Sequence, residues 1–178
     1  MFRLCILMGC FVWASALAQG TPVGKMMPSS ASHGKDAFSQ AIAAGDIARI
    51  GEVLDSGISV NRSVVRHFAE GYTVTLTPLA EAMFRYVGGF PEDEKKGVEV
   101  VQYLISRGAD INAAIPETGS TPLHLAAGAL DGCIAFRLFA ALHEAGADVS
   151  IRDNEGQTPL DVMRETLEEK VRETCETY

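Results

Sequence analysis

Two short phrases alternate along this chain of 178 residues, and their recurrence restricts the fold more than any other feature. The first is Thr121-Pro122-Leu123-His124-Leu125-Ala126, echoed as Thr77-Pro78-Leu79-Ala80 and as Thr158-Pro159-Leu160-Asp161. The second is Gly108-Ala109-Asp110-Ile111-Asn112, echoed as Gly146-Ala147-Asp148-Val149-Ser150 and as Gly57-Ile58-Ser59-Val60-Asn61. Each phrase dictates a backbone. Thr at a cap accepts from free amides of a first helical turn, and the following Pro has no N–H to waste and a φ already suited to a helix. Gly after an apolar-periodic segment supplies the left-handed cap that other residues adopt only at a steric cost. Thr-Pro therefore opens one helix and Gly ends another.

Between these marks the apolar residues keep a helical period: Ile47, Ile50 and Leu54; Val98, Val101 and Ile105; Ala135, Leu138, Phe139 and Leu142; Leu160, Met163 and Leu167. One helix pair cannot bury such a stripe alone, so the units must stack, and about three or more are needed for stability. Four are expected, at about 36–61, 77–112, 121–150 and 158–178. TPLHLA followed by GADV resembles the ankyrin repeat family over residues 36 to about 178. The resemblance implies an all-α solenoid of about four helix-pair units with β-hairpin-like fingers. It also implies a non-enzymatic protein–protein interaction module whose fingers and inner helices form a concave surface. The end units depart from the family pattern: the first begins Lys35-Asp36-Ala37-Phe38 without Thr-Pro, and the last has TPLD and a strongly charged helix. Polar outer faces of this kind keep a solenoid's ends in water.

Three insertions interrupt the pattern. Gly57 to Thr77 is 20 residues, against 12 from Gly146 to Thr158, and the extra segment 62–76 has β-branched and aromatic residues on both sides of Glu70-Gly71. That composition predicts a lengthened hairpin finger. Residues 87–96 read as a Gly/Pro-broken loop between two helices, and a smaller insertion surrounds 128–132. Binding specificity usually resides in loops extended on a rigid scaffold. The candidate partner-binding residues are Arg66, His67, Phe68 and Tyr72 on the first finger, Glu117 and Thr118 on the second, and Arg152, Asp153 and Asn154 on the third. Phe68 and Tyr72 fit two readings, an interface hot spot or a cover over the edge of the first two units.

Residues 3–18 carry one cation, an apolar run from Leu4 to Ala14 and then Ala16-Leu17-Ala18. The run is shorter than the ~20 residues of a membrane-spanning helix, and A-x-A suits signal peptidase, so residues 1–18 are expected to be a signal peptide and 19–35 a flexible tether. An uncleaved anchor and lipidation at Cys10 compete with this reading. Cleavage after Ala18 leaves 14 basic and 23 acidic residues, a charge of −9, and only Cys133 and Cys175. These two are expected as separate thiols, because ends of parallel-stacked helices lie too far apart for a disulfide. The destination is the periplasm or the medium, with no membrane span after cleavage, and the chain is expected to be a monomer.

The acidic balance and the scattered cations exclude a phosphate-neutralising surface, so no nucleic acid is expected, and a basic protein is the favoured partner. No metal and no cofactor are expected. His67 and His143 lack ligand spacing, and no nucleophile motif or phosphate loop is present. His124 in its TPLH context reads as satisfying neighbouring loop groups. Two alternatives stay open: a periplasmic inhibitor, immunity or accessory factor for one envelope enzyme, and a hydrolase with a loop-built site around His67 and Glu70. Asn61-Arg62-Ser63 is an N-glycosylation sequon, meaningful only in a eukaryotic host that exports the chain.

Overall fold

A computed structural model describes residues 36–67, 71–87, 94–128 and 132–176. The elements run α1 (Ala37–Ala44), α2 (Ile47–Asp55), β1 (Val64–His67), β2 (Thr73–Leu76), α3 (Pro78–Val87), α4 (Glu94–Ser106), α5 (Pro122–Ala127), α6 (Gly132–Glu144) and α7 (Pro159–Glu176). The segments expected to be a signal peptide and a tether lie outside the described residues. So do most of the second insertion and residues 129–131 of the third.

Inner helices α1, α3, α5 and α7 stack in that order, and outer helices α2, α4 and α6 pack against them. Burial follows the stripes read from the sequence. Ile50, Val53, Leu79, Met83, Val100, Val101, Leu104, Leu123, Leu138 and Leu142 join Phe38 and Ile42 in one continuous apolar core. The outer-helix exits at Gly57, Gly108 and Gly146 all have φ near +90°, at 95°, 86° and 94°, the left-handed turn for which the Gly of each second phrase is needed. Asp36 stands in for the missing Thr-Pro of the first unit by accepting from the Phe38 amide at 3.3 Å.

Neighbouring units are also stitched by side-chain amides. Asn61 accepts from the Asp110 amide at 2.7 Å and donates to the Gly108 carbonyl at 3.1 Å. Asn112 accepts from the Asp148 amide at 2.9 Å, one unit further on. The amide of the glycosylation sequon is therefore part of the stack.

Two expectations need correction. Residues 94–96, read as loop, form the first turn of α4. The fourth unit is not a helix pair: α7 runs unbroken for 18 residues, because no Gly or Pro interrupts Leu160–Glu176. Its expected stripe is only partly buried. Met163 is half-buried, as are Val162 and Thr166, whereas Leu160 and Leu167 are exposed. Among the described residues no outer helix follows α7, and the leucines at the outer edge of the stripe are exposed.

The junction of the first two units is tight. Tyr86 is fully buried and donates its hydroxyl to the Ile42 carbonyl at 2.7 Å, while its Cβ and Cγ would lie 2.8 and 2.7 Å from a Cβ at Gly97. Alanine in a helix interior gains about 1 kcal/mol over glycine. At Gly97 overpacking should outweigh that, since a ring pinned at both ends cannot withdraw. Gly97→Ala is expected to destabilise the domain by about 1–3 kcal/mol, read as a lower urea midpoint at unchanged slope.

Candidate functional site: the finger rim

The first finger is the antiparallel pair β1–β2, with Val64 opposite Leu76, Val65 opposite Thr75, Arg66 opposite Val74 and His67 opposite Thr73. Alternation turns Val74 and Leu76 inward, where they pack with Ala80 and Ile115, and leaves Val65 and Thr73 exposed. Tyr72 and His67 are exposed near the tip, and Phe68 and Glu70 lie outside the described residues. Arg66 does not project freely. It forms an ion pair with Glu81 of α3, whose second oxygen accepts from the Ser39 hydroxyl of α1 at 2.9 Å.

The second finger is a tight turn closed by the Gly119 amide donating to the Ile115 carbonyl at 2.7 Å and the Ile115 amide donating to the Ser120 carbonyl at 2.9 Å. Glu117 reaches from it to the first finger and accepts from both the amide and the hydroxyl of Thr75, at 3.0 and 2.7 Å. On the other side Asn154 donates its amide to the Thr118 carbonyl at 2.9 Å and its side-chain nitrogen to the Glu117 carbonyl at 3.2 Å. This approach is close enough that a Cβ at Gly119 would lie 2.6 Å from the Asn154 side chain.

The third finger is held from within. Asp153 is buried and accepts from the Glu155 and Gln157 amides at 3.0 and 2.9 Å, so its carboxylate organises its own loop instead of facing outward. Arg152 donates to the Gly156 carbonyl. His124 ties this finger to α5. The Thr121 amide can only donate, so Nδ1 must accept, and Nε2 carries the hydrogen donated to the Gln157 carbonyl at 3.0 Å. At Thr158 the same cap is built with a carboxylate. Asp161 accepts from the Thr158 hydroxyl at 2.8 Å and amide at 3.1 Å, and these bonds hold its carboxyl below the ordinary aspartate range.

Of the nine residues singled out from the sequence, Phe68 lies outside the described residues and the other eight have different duties. Tyr72 and His67 are displayed, Arg66, Glu117, Thr118, Arg152 and Asn154 are engaged in holding the fingers, and Asp153 is inside. Sequence reasoning missed Val65 and Phe84. Phe84 is exposed on α3, three residues after Glu81 and hence on the helix face that meets Arg66. The alternation of β1 and the wheel of α3 were the available signals, and neither was applied to these positions. Among the described residues there is no group of three or more His, Cys, Asp or Glu that could hold a metal ion. No helix among them is long and apolar enough to cross a membrane.

The family model described as ankyrin repeats in many copies matches residues 94–138, from the start of α4 into α6. Over that stretch the chain is similar to the ankyrin repeat family. Its ankyrin segment is 39% identical over 90 residues to the neurogenic locus Notch protein of Drosophila melanogaster, covering 48% of this chain and 3% of that protein. It is 40% identical over 67 residues to a BTB/POZ domain and ankyrin repeat-containing protein of Medicago truncatula, covering 37% of this chain and 13% of the relative. The chain thus spans a small fraction of these relatives' length. The ankyrin repeat domain of Bcl-3 superposes with a TM-score of 0.51 at 24% identity, over 70% of this chain and 45% of that one, which supports the fold. Ankyrin repeats are protein–protein interaction modules, and the rim described above includes exposed apolar side chains at Val65 and Tyr72.

Partial desolvation pushes the Glu117 carboxyl up, but the hydroxyl and amide bonds from Thr75 together outweigh it and hold the group below the usual glutamate range. A depressed value means that the link between the first two fingers is fully present above the unfolded glutamate value. It is lost as pH falls through the lower folded one. The Thr75 amide resonance is expected to shift with a single acid-side midpoint below that of ordinary glutamates, and the step should vanish in Glu117→Gln.

Proposed function

We propose that this chain is an exported, non-enzymatic binding module whose protein partner docks on the finger rim and the adjoining face of α3. One observation carries the reading. Bonds from Glu117 to Thr75 and from Asn154 to Glu117 and Thr118 run across all three fingers, while Val65, Tyr72 and Phe84 remain exposed beside them. A rim already locked in place loses little freedom on binding, and exposed aromatics beside a charged pair have the composition of an interface hot spot. The net charge of −8 favours a basic partner and speeds encounter with it.

Affinity capture from envelope extract, with the protein beside a Tyr72→Ala, Phe84→Ala double variant, tests this reading. Hot-spot truncation should reduce recovery of a specifically retained protein by roughly tenfold or more. Equal recovery would remove the first finger and α3 from the interface.

Export rests on Arg3, the apolar run from Leu4 and the Ala16-Leu17-Ala18 site. N-terminal sequencing of the protein recovered from the envelope or medium should begin at Gln19. An N-terminus at Met1, or a lipid-modified Cys10, would overturn that reading.

A further inference from the structure

The two outer edges of the first finger meet different surroundings. In a regular antiparallel pair, opposed residues alternate between exchanging their amides and carbonyls and turning both outward. The Thr75 amide donates to Glu117 at 3.0 Å, away from β1, so the opposed residues Val65 and Thr75 are of the outward kind. The ladder bonds therefore fall to Val64 with Leu76 and to Arg66 with Val74. It follows that the amide and carbonyl of Val65 point away from β2. Glu117 covers the edge of β2, whereas Val65 makes no hydrogen bond outside the ladder among the described residues.

Edge strands are ordinarily protected by a proline, a bulge, a charge or a covering loop. β1 carries neither proline nor bulge, and its four residues keep one register with β2. Its arginine, Arg66, is turned to the opposite face, where it pairs with Glu81. The side chain beside the open amide is that of Val65, 55% exposed. The strand is also firmly held. Val74 and Leu76 are buried beneath the hairpin, and the chain of Arg66, Glu81 and Ser39 fastens it to α3 and α1. A fixed edge with unused main-chain groups is a template for an incoming strand.

We infer that an extended segment of the partner protein joins the outer edge of β1 as a third strand, with a β-branched or aromatic residue opposite Val65 and lysine or arginine beyond it. The inference rests on the protein-binding reading above and names how that partner docks at the first finger. Main-chain pairing supplies the acceptor and the donor that Val65 lacks, and a bulky residue opposite covers its exposed side chain. Cations at the ends of the segment answer the net charge of −8. A second copy offering its own β1 would bring another −8 to a contact of four residues per strand, so charge favours a foreign basic segment.

Nuclear magnetic resonance titration of the purified protein tests this with an end-blocked peptide in which valine and threonine alternate between pairs of lysines. Saturable shifts are expected, largest at the Val65 amide, which should exchange slowly with solvent only when the peptide is bound. A second peptide, N-methylated at every amide between the lysines, keeps the side chains but cannot donate, and it should not bind. On the protein, Val65→Pro removes an N–H that the ladder does not use, and it is expected to weaken binding by about tenfold or more. Val65→Ile keeps that N–H and should bind as the wild type does. The Thr75 amide, held by Glu117, reports whether the Val65→Pro finger keeps its shape; where it does not, the methylated peptide still decides. No binding, equal binding of the methylated peptide, or equal binding by Val65→Pro with an unchanged Thr75 resonance would overturn the inference. So would slow exchange of the Val65 amide in the free protein, since this chain would then already cover the edge. A concentration-dependent dimer that Val65→Pro abolishes would overturn it too, by assigning the edge to a second copy. The two readings fail separately. Envelope capture lost in Tyr72→Ala, Phe84→Ala but undiminished in Val65→Pro leaves the rim standing and removes the third strand. Failure of capture by the wild-type protein removes the rim reading, while the titration decides the strand.

Discussion

An inner and an outer helix of about ten residues each cannot enclose their own apolar stripe, and every other feature of this molecule follows from that shortage. Burial has to be shared between neighbours, so Tyr86 of the second unit donates to the Ile42 carbonyl of the first, and Leu79, Leu104 and Leu138 of successive units lie in one core. A solenoid built this way is close to one-dimensional, with stability arising at nearest-neighbour junctions. Polar bonds follow the same rule. Asn61 and Asn112 each reach one unit forward, and neither bridges to a more distant one.

The fingers inherit their arrangement from the stack. Because successive units are held in register, Glu117 arrives opposite Thr75 and Asn154 arrives opposite Thr118 without a sheet joining all three loops. Finger and helix are coupled as well, through the chain of Arg66, Glu81 and Ser39 that spans the first finger, α3 and α1. A partner pressing on the rim therefore meets a surface braced against the core, with apolar groups at Val65, Tyr72 and Phe84 set among groups that already have their hydrogen bonds.

Legibility in the sequence depended on how local the physical requirement was. The starts at Thr77, Thr121 and Thr158 and the left-handed exits at Gly57, Gly108 and Gly146 were readable because each backbone geometry admits few residue types. The hairpin at 64–76 was readable from its composition. The role of Glu117 was not, since its partner Thr75 lies 42 residues away and nothing near Glu117 names it. Asp153 read as a contact residue because a loop aspartate is usually exposed, and only the turn geometry shows its oxygen directed at the Glu155 and Gln157 amides. The fourth unit was misjudged for a related reason. Periodicity locates a stripe but does not say whether a second helix returns to cover it, and the decisive sign was the lack of a breaker after Leu160.

The first and fourth units differ in how far their apolar stripes are covered. At the first unit, Asp36 caps α1 and pairs with Arg62 at 2.9 Å, so the opening of the domain is closed by ionic and capping contacts while Phe38 and Ile42 stay covered. At the fourth unit, capping is equally complete at Thr158 and Asp161, yet Leu160, two residues after Thr158, is exposed. A well-formed helix start therefore does not by itself bury the stripe that follows it. Burial comes from the next unit, and α7 carries at Leu160 the residue that the second and third units bury at Leu79 and Leu123.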